Sequence, residues 1–123
     1  MSDSARTGKT GEDIALLYLE KTGMRLLERN YRVRGGEIDL IMDDGGQIVF
    51  VEVKTRVYSG DGSAYDAVNA AKQRHITKAA VRYLSEKASF EAACRFDVVI
   101  IIGQPPDARL EHHKNAFMPH TRF

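Results

Sequence analysis

The chain has 123 residues, 43% of them hydrophobic and 28% charged, with a formal net charge of +1. That length builds one hydrophobic core and not two. The near-neutral balance excludes nucleic-acid binding driven by total charge, so any such binding must come from where the basic residues lie.

In chain order, Met1 to Thr10 is polar and has no apolar signal core. It reads as a flexible tail ahead of a single domain over 11–123. No apolar run approaches the ~20 residues that cross a bilayer, so no membrane partner is expected and the cytoplasm is the expected location. Gly11 to Lys21 has a helical pattern: Ile14, Leu17, Tyr18 and Lys21 recur at i, i+3, i+4 and i+7, and Gly23 supplies the stop. Thr10 is the expected N-cap, with Glu12 and Asp13 at the positive end of the helix dipole.

Leu26–Val33 reads as a first strand, Arg34-Gly35-Gly36 as a turn and Glu37–Asp43 as a second strand. Asp43-Asp44-Gly45-Gly46 is a strong hairpin signal, because Asp-Gly tolerates the positive φ of tight turns. Gln47–Arg56 is a third strand, followed by a Gly-containing loop over Val57–Ser63 that is placed to close over a substrate. A long helix over Ala67–Lys87 has the apolar line Ile76, Ala80, Tyr83 and Leu84. Cys94–Ile102 is apolar enough to be a central strand, and Leu110–Lys114 a short edge strand. The order α-β-β-β-α-β-(β) predicts a small α/β domain with helices on a mixed sheet, the third and fourth strands parallel through a right-handed crossover.

The chemistry concentrates on the hairpin. Side chains alternate faces along a strand. If the two strands bury one common face, Val49, Val51 and Val53 meet Ile38, Leu40 and Met42. A two- or four-residue connection then sets the register. Glu37, Asp39, Glu52 and Lys54 gather on the other face. Charged residues are depleted in strands, and three carboxylates this close repel one another. A divalent cation relieves that, since Mg²⁺ and similar hard ions take carboxylate oxygens. A lysine ~6.5 Å further along the same face is placed to polarise a water or to stabilise charge on a phosphorane-like transition state. The bland alternative is an exposed hairpin face with a weak Glu52–Lys54 pair.

In order, Gly36-Glu37-Ile38-Asp39-Leu40-Ile41 and Phe50-Val51-Glu52-Val53-Lys54-Thr55-Arg56 resemble the D…ExK signature of the PD-(D/E)xK nuclease superfamily. Ile38 stands where the proline of that signature is usual. The whole chain resembles the YraN family of small bacterial proteins, related to archaeal Holliday-junction resolvases. The match runs from Gly11-Glu12 through Lys72-Gln73-Arg74, Tyr83-Leu84 and Arg95-Phe96-Asp97-Val98-Val99 to His112 and Asn115-Ala116-Phe117. The resemblance implies a restriction-endonuclease-like fold, with Asp39 and Glu52 as ligands of Mg²⁺ or Mn²⁺ and Lys54 as the catalytic lysine. It also implies Glu12 as a further acid near the metal and Gln73 as the polar helix residue that follows the ExK strand. Without it, Glu12 is a first-turn acid complementing the helix dipole and Gln73 a surface amide. Glu37 flanks the site.

The expected function is therefore a metal-dependent endonuclease acting on DNA, branched or structured DNA included. The rival is a non-catalytic adaptor of the same fold that binds nucleic acid or a protein partner. A resolvase-like enzyme cuts two strands, which makes a symmetric homodimer an expectation. Arg74, Lys78 and Arg82 at i, i+4 and i+8 form a basic stripe, with Lys72 and His75 nearby and Arg34 and Arg56 at the strand ends. The stripe is either a phosphate-binding surface or a solvated helix face. No zinc finger, basic zipper or aromatic RNA-binding signature is present, so recognition by shape is expected. His112, His113 and His120 match no zinc spacing, and Gly60-Asp61-Gly62-Ser63 lacks the lysine of a phosphate loop. Cys94 is the single cysteine, which fits a reducing compartment; it lies in an apolar run and reads as a buried structural thiol.

Overall fold

The computed structural model describes residues 3–57, 68–88 and 91–118, with side chains from Thr10 onward. Helix α1 spans Asp3–Lys21. Strands β1 (Arg25–Val33), β2 (Gly36–Asp44) and β3 (Gln47–Arg56) follow. Helix α2 covers Ala70–Lys87, then come β4 (Cys94–Ile102) and β5 (Arg109–His113). The five strands form one sheet in sequence order. All neighbours are antiparallel except β3 and β4, which the α2 crossover makes parallel. The element order and mixed sheet are those of the expected restriction-endonuclease-like architecture. The Val57–Ser63 loop beyond Val57, the Ala67 start of the second helix, and His120 lie outside the described residues.

The β2–β3 connection is a two-residue turn at Gly45-Gly46, both at positive φ (61° and 98°). It sets Leu40 opposite Val51 and Met42 opposite Val49, the register that the buried valines require. The assumption of a single buried face is corrected: both faces are covered. Leu40, Met42, Val49, Val51, Val99 and Ile101 pack with Ala15 and Leu19 of α1. Ile41, Phe50, Phe96, Val98 and Ile100 pack with Ile76, Ala79, Ala80, Tyr83 and Leu84 of α2. Ile38 joins this second cluster and not the first, so the alternation breaks at Asp39.

Helix α1 departs from its expected form in two ways. It begins at Asp3, where a loose tail was expected, so Thr10 lies within the helix and does not cap it. A polar segment buries no apolar stripe, and apolar periodicity is blind to it. Leu17, expected on the buried line, is 54% exposed; the buried line is Gly11, Ala15 and Leu19. Gly11 sets how closely α1 lies on β3, because a Cβ there would stand 2.5 Å from Thr55 Cγ2. Two small residues on this line carry no hydrophobic signal, yet they are what lets the helix sit down on the sheet.

Helix α2 starts at an Asn69 N-cap whose side chain accepts from Lys72 N at 2.9 Å. The expected apolar line Ile76, Ala80, Tyr83 and Leu84 is buried throughout. The β1–β2 turn is tied to this helix at Gly36, where a Cβ would meet His75 O at 2.5 Å and Ala79 N at 3.0 Å.

Candidate functional site

The β2–β3 ladder runs from Asp44/Gln47 to Leu40/Val51 and stops there. Just beyond it, Val53 N donates to Asp39 Oδ2 at 2.8 Å. The Asp39 carboxylate thus takes over a backbone donor where β2 parts from β3. Across from Asp39, Asn30 of β1 adopts a left-handed φ of 53°, a conformation that Asn tolerates better than most side chains. Here β2 and β3 part while β1–β2 and β3–β4 stay paired, and the Asp39 carboxylate turns into the fork between them.

Glu52 lies at the same fork. Asp39 is 7% exposed and Glu52 4%, and the two carboxyl groups are close enough that each acts on the ionisation of the other. Burial raises the Asp39 pKa, an effect opposed by the Val53 N–H bond. Burial, and then the charge of Asp39, push Glu52 up to about 8. Two acids out of water and side by side cannot both ionise without a cation. Glu52 Oε2 is buried and has no hydrogen-bond partner among the described residues.

The lysines divide. Lys54 is half-buried two residues along β3 and makes no ion pair among the described residues. Its charge still acts on Glu52, less strongly than that of Lys72. Lys72, expected on a nucleic-acid surface, points inward and sets Nζ 3.6 Å from Glu52 Oε1. Gln73 is half-buried, and its Nε2 donates to Val68 O at 2.9 Å, bracing the start of α2.

Glu12 stands beside the carboxylate pair, not within it. Its pKa is raised by burial and then by Asp39, so it feels that carboxylate. Arg29 (3.6 Å) and Asn30 draw its side chain toward β1. Among the described residues no group of three or more His, Cys, Asp or Glu side chains could hold a metal ion. A two-carboxylate pair still fits Mg²⁺, which often takes one or two protein carboxylates and fills its other positions with water and substrate phosphate oxygens. The unpartnered Glu52 oxygen is the observation that fits such an ion, because a buried acceptor left without a donor is costly.

The other expected binding residues are dispersed. Arg34 is exposed in the β1–β2 turn and Arg56 half-buried at the end of β3. Arg74, Lys78 and Arg82 are exposed on α2 away from its buried line, so the stripe exists as a surface. Arg82 is partly neutralised by Glu86, and Lys78 Nζ lies over Gly35. Glu37 pairs with Arg32 at 3.4 Å.

A second polar cluster escaped the sequence reading as a unit. On β4, Arg95 and Asp97 are buried on the α1 face. Arg95 Nε reaches Asp97 Oδ1 at 3.0 Å, and Arg95 Nη1 reaches Asp44 Oδ2 at 2.9 Å and Gln47 Oε1 at 2.8 Å. His112 Nε2 bonds Asp97 Oδ2 at 2.8 Å, and Asn115 N donates to Asp97 Oδ1. Burial would raise the Asp97 pKa, but the bonds from His112, Arg95 and Asn115 hold it below its ordinary value. The readable signal was an Arg and an Asp two apart on one face of an otherwise apolar strand. His112 is thus a packing residue, His113 pairs with Glu111 at 3.2 Å, and Cys94 is half-buried with its thiol pKa raised by burial.

Residues 11–101 match the model of the uncharacterised protein family UPF0102. A UPF0102 protein of Geobacter sulfurreducens is 49% identical over 111 residues, covering 89% of this chain and 87% of that one. One from Rhodococcus opacus is 45% identical over 118 residues, covering 95% of this chain and 100% of its own length. One from Symbiobacterium thermophilum is 48% identical over 117 residues, covering 93% and 98%. Matches of this identity and coverage show the family: the chain belongs to UPF0102, the YraN family that its motifs resemble.

Proposed function

We propose that this protein is a metal-dependent phosphodiester hydrolase acting on DNA, branched or structured DNA included. The observation that carries the reading is the buried Asp39–Glu52 pair, with one Glu52 oxygen left without a donor. Asp39 and Glu52 would hold Mg²⁺ or Mn²⁺, with Glu12 acting on Asp39 from outside the pair. Such an ion, when bound, neutralises charge on the scissile phosphate and acidifies the attacking water. Lys54 orients that water or stabilises the charge that builds on the phosphate oxygens. Gln73 is a positioning residue that fixes the first turn of α2. Arg34, Arg56, Arg74, Lys78 and Arg82 take backbone phosphates, an attraction that weakens as salt rises. A homodimer would present two such centres to the two strands of a duplex.

The test is cleavage of labelled linear, flapped and four-way-junction DNA with Mg²⁺ or Mn²⁺ by the wild type, Glu52→Ala and Lys54→Ala. Removing one member of such a centre is expected to lower the rate by roughly 10²–10⁴-fold. Product from the wild type that both substitutions abolish supports the reading. Equal product from all three points to a contaminant and sinks the site. No product on any substrate favours the adaptor, which binds without turnover.

A further inference from the structure

The cation nearest the acid pair is not the lysine of the strand motif. Lys72 Nζ lies 3.6 Å from Glu52 Oε1, beyond the ~2.7–3.2 Å of a good N–H···O bond. Charge holds it there, not fixed hydrogen-bond geometry. The two ends of the contact differ in freedom. The Glu52 side chain is 4% exposed, the Lys72 side chain 30%. Lys72 also lines an open cavity of about 350 Å³ with Arg32, Gly35, Gly36, Glu37 and His75. Its backbone is anchored by the Asn69 cap, and the Gln73 amide bond braces the same turn. Movement is therefore left to the four-carbon stem, which is flexible in lysine.

An ammonium and a divalent cation compete for the same carboxylate oxygens and repel each other when both are close. We propose that Lys72 is an exchangeable counter-ion. It stands beside the Asp39–Glu52 pair in the metal-free protein, and an incoming divalent ion displaces it into the cavity. There, beside His75 and the Arg32–Glu37 pair, it is open to the phosphate of a nucleic-acid strand. The proposal rests on the reading of Asp39 and Glu52 as a metal site.

The test is calorimetric titration of the full chain with Ca²⁺, which takes the same hard oxygen donors. The titration is run at rising pH until the affinity stops changing, because loss of the Lys72 charge also raises the Glu52 pKa and strengthens proton competition. With its competitor removed, Ca²⁺ is expected to bind Lys72→Met and Lys72→Gln on the order of fivefold tighter than the wild type. Glu52→Gln is expected to abolish the binding. Unchanged or weaker Ca²⁺ binding in both Lys72 variants overturns the exchange and leaves the metal site standing. No binding by the wild type or any variant, or binding that Glu52→Gln leaves intact, overturns the metal site and the exchange together. A second measurement needs no substitution: in ¹³C-lysine-labelled wild type, saturating Ca²⁺ shifts the Lys72 Cε signal toward those of exposed lysines. A Lys72 signal that stays in place while Ca²⁺ binds overturns the proposal.

Discussion

At Glu52 the sheet buries an acid beside a second acid, Asp39, and leaves one oxygen of the pair without a donor. Burial raises both pKa values, Glu52 from 4.5 to about 8. A folded pKa above the unfolded one means that the native state binds more protons between those values. The resulting stabilisation is complete below about pH 4.5 and is lost as pH rises through about 8. Metal-free wild type should therefore lose thermal stability across this window, and Glu52→Gln should flatten the decline and be the more stable protein at its alkaline end. Melting curves taken in chelator across that range check this; parallel curves for the two proteins would refute the buried-acid account. Alternation puts Asp39, Glu52 and Lys54 on one face of the hairpin, where strand composition makes charge unusual, but it does not show that both acids are buried. The inward turn of Lys72 was not legible. At i−2 from Arg74 it reads as one more surface cation, and only the approach of α2 to the end of β3 decides where its stem goes.

Among the elements, the β2–β3 hairpin was the most readable, since two glycines after paired aspartates set a two-residue turn and period-two burial leaves one register. Strands β3 and β4 lie where their apolar runs predict. The helix contacts were less readable, because small residues decide them. Gly36 brings the β1–β2 turn against α2, with His75 O 2.5 Å and Ala79 N 3.0 Å from where a Cβ would sit. Both obstacles are backbone and cannot rotate aside. Gly36→Ala should destabilise the fold by about 1–3 kcal/mol through overpacking, seen as a lower denaturant midpoint at unchanged slope. An unaltered midpoint would mean that the turn does not rest on the helix. The Arg95–Asp97–His112 cluster is not legible as a unit in the sequence. Its partners Asp44 and Gln47 flank the hairpin turn, and only the sheet's strand order makes them neighbours.

For the whole molecule, a near-neutral chain places its basic residues unevenly. Arg74 and Lys78 are exposed on one helix, Arg34 on the adjoining turn, and Lys72 at the acid pair itself. The sheet is covered by α1 on one face and α2 on the other, and Asp39 and Glu52 lie past the last β2–β3 backbone pair. No described helix is long and apolar enough to cross a membrane. Order and topology followed from pattern, and family membership from motifs in sequence. Metal, substrate and turnover belong to the site and are not carried by the fold. The most direct measurement is anomalous diffraction from crystals soaked in Mn²⁺. An ion held by the acid pair gives a peak about 2.1 Å from carboxylate oxygens of both Asp39 and Glu52, with Lys72 turned away from Glu52. A peak elsewhere, or none at a Mn²⁺ concentration that saturates the protein in solution, would contradict that site.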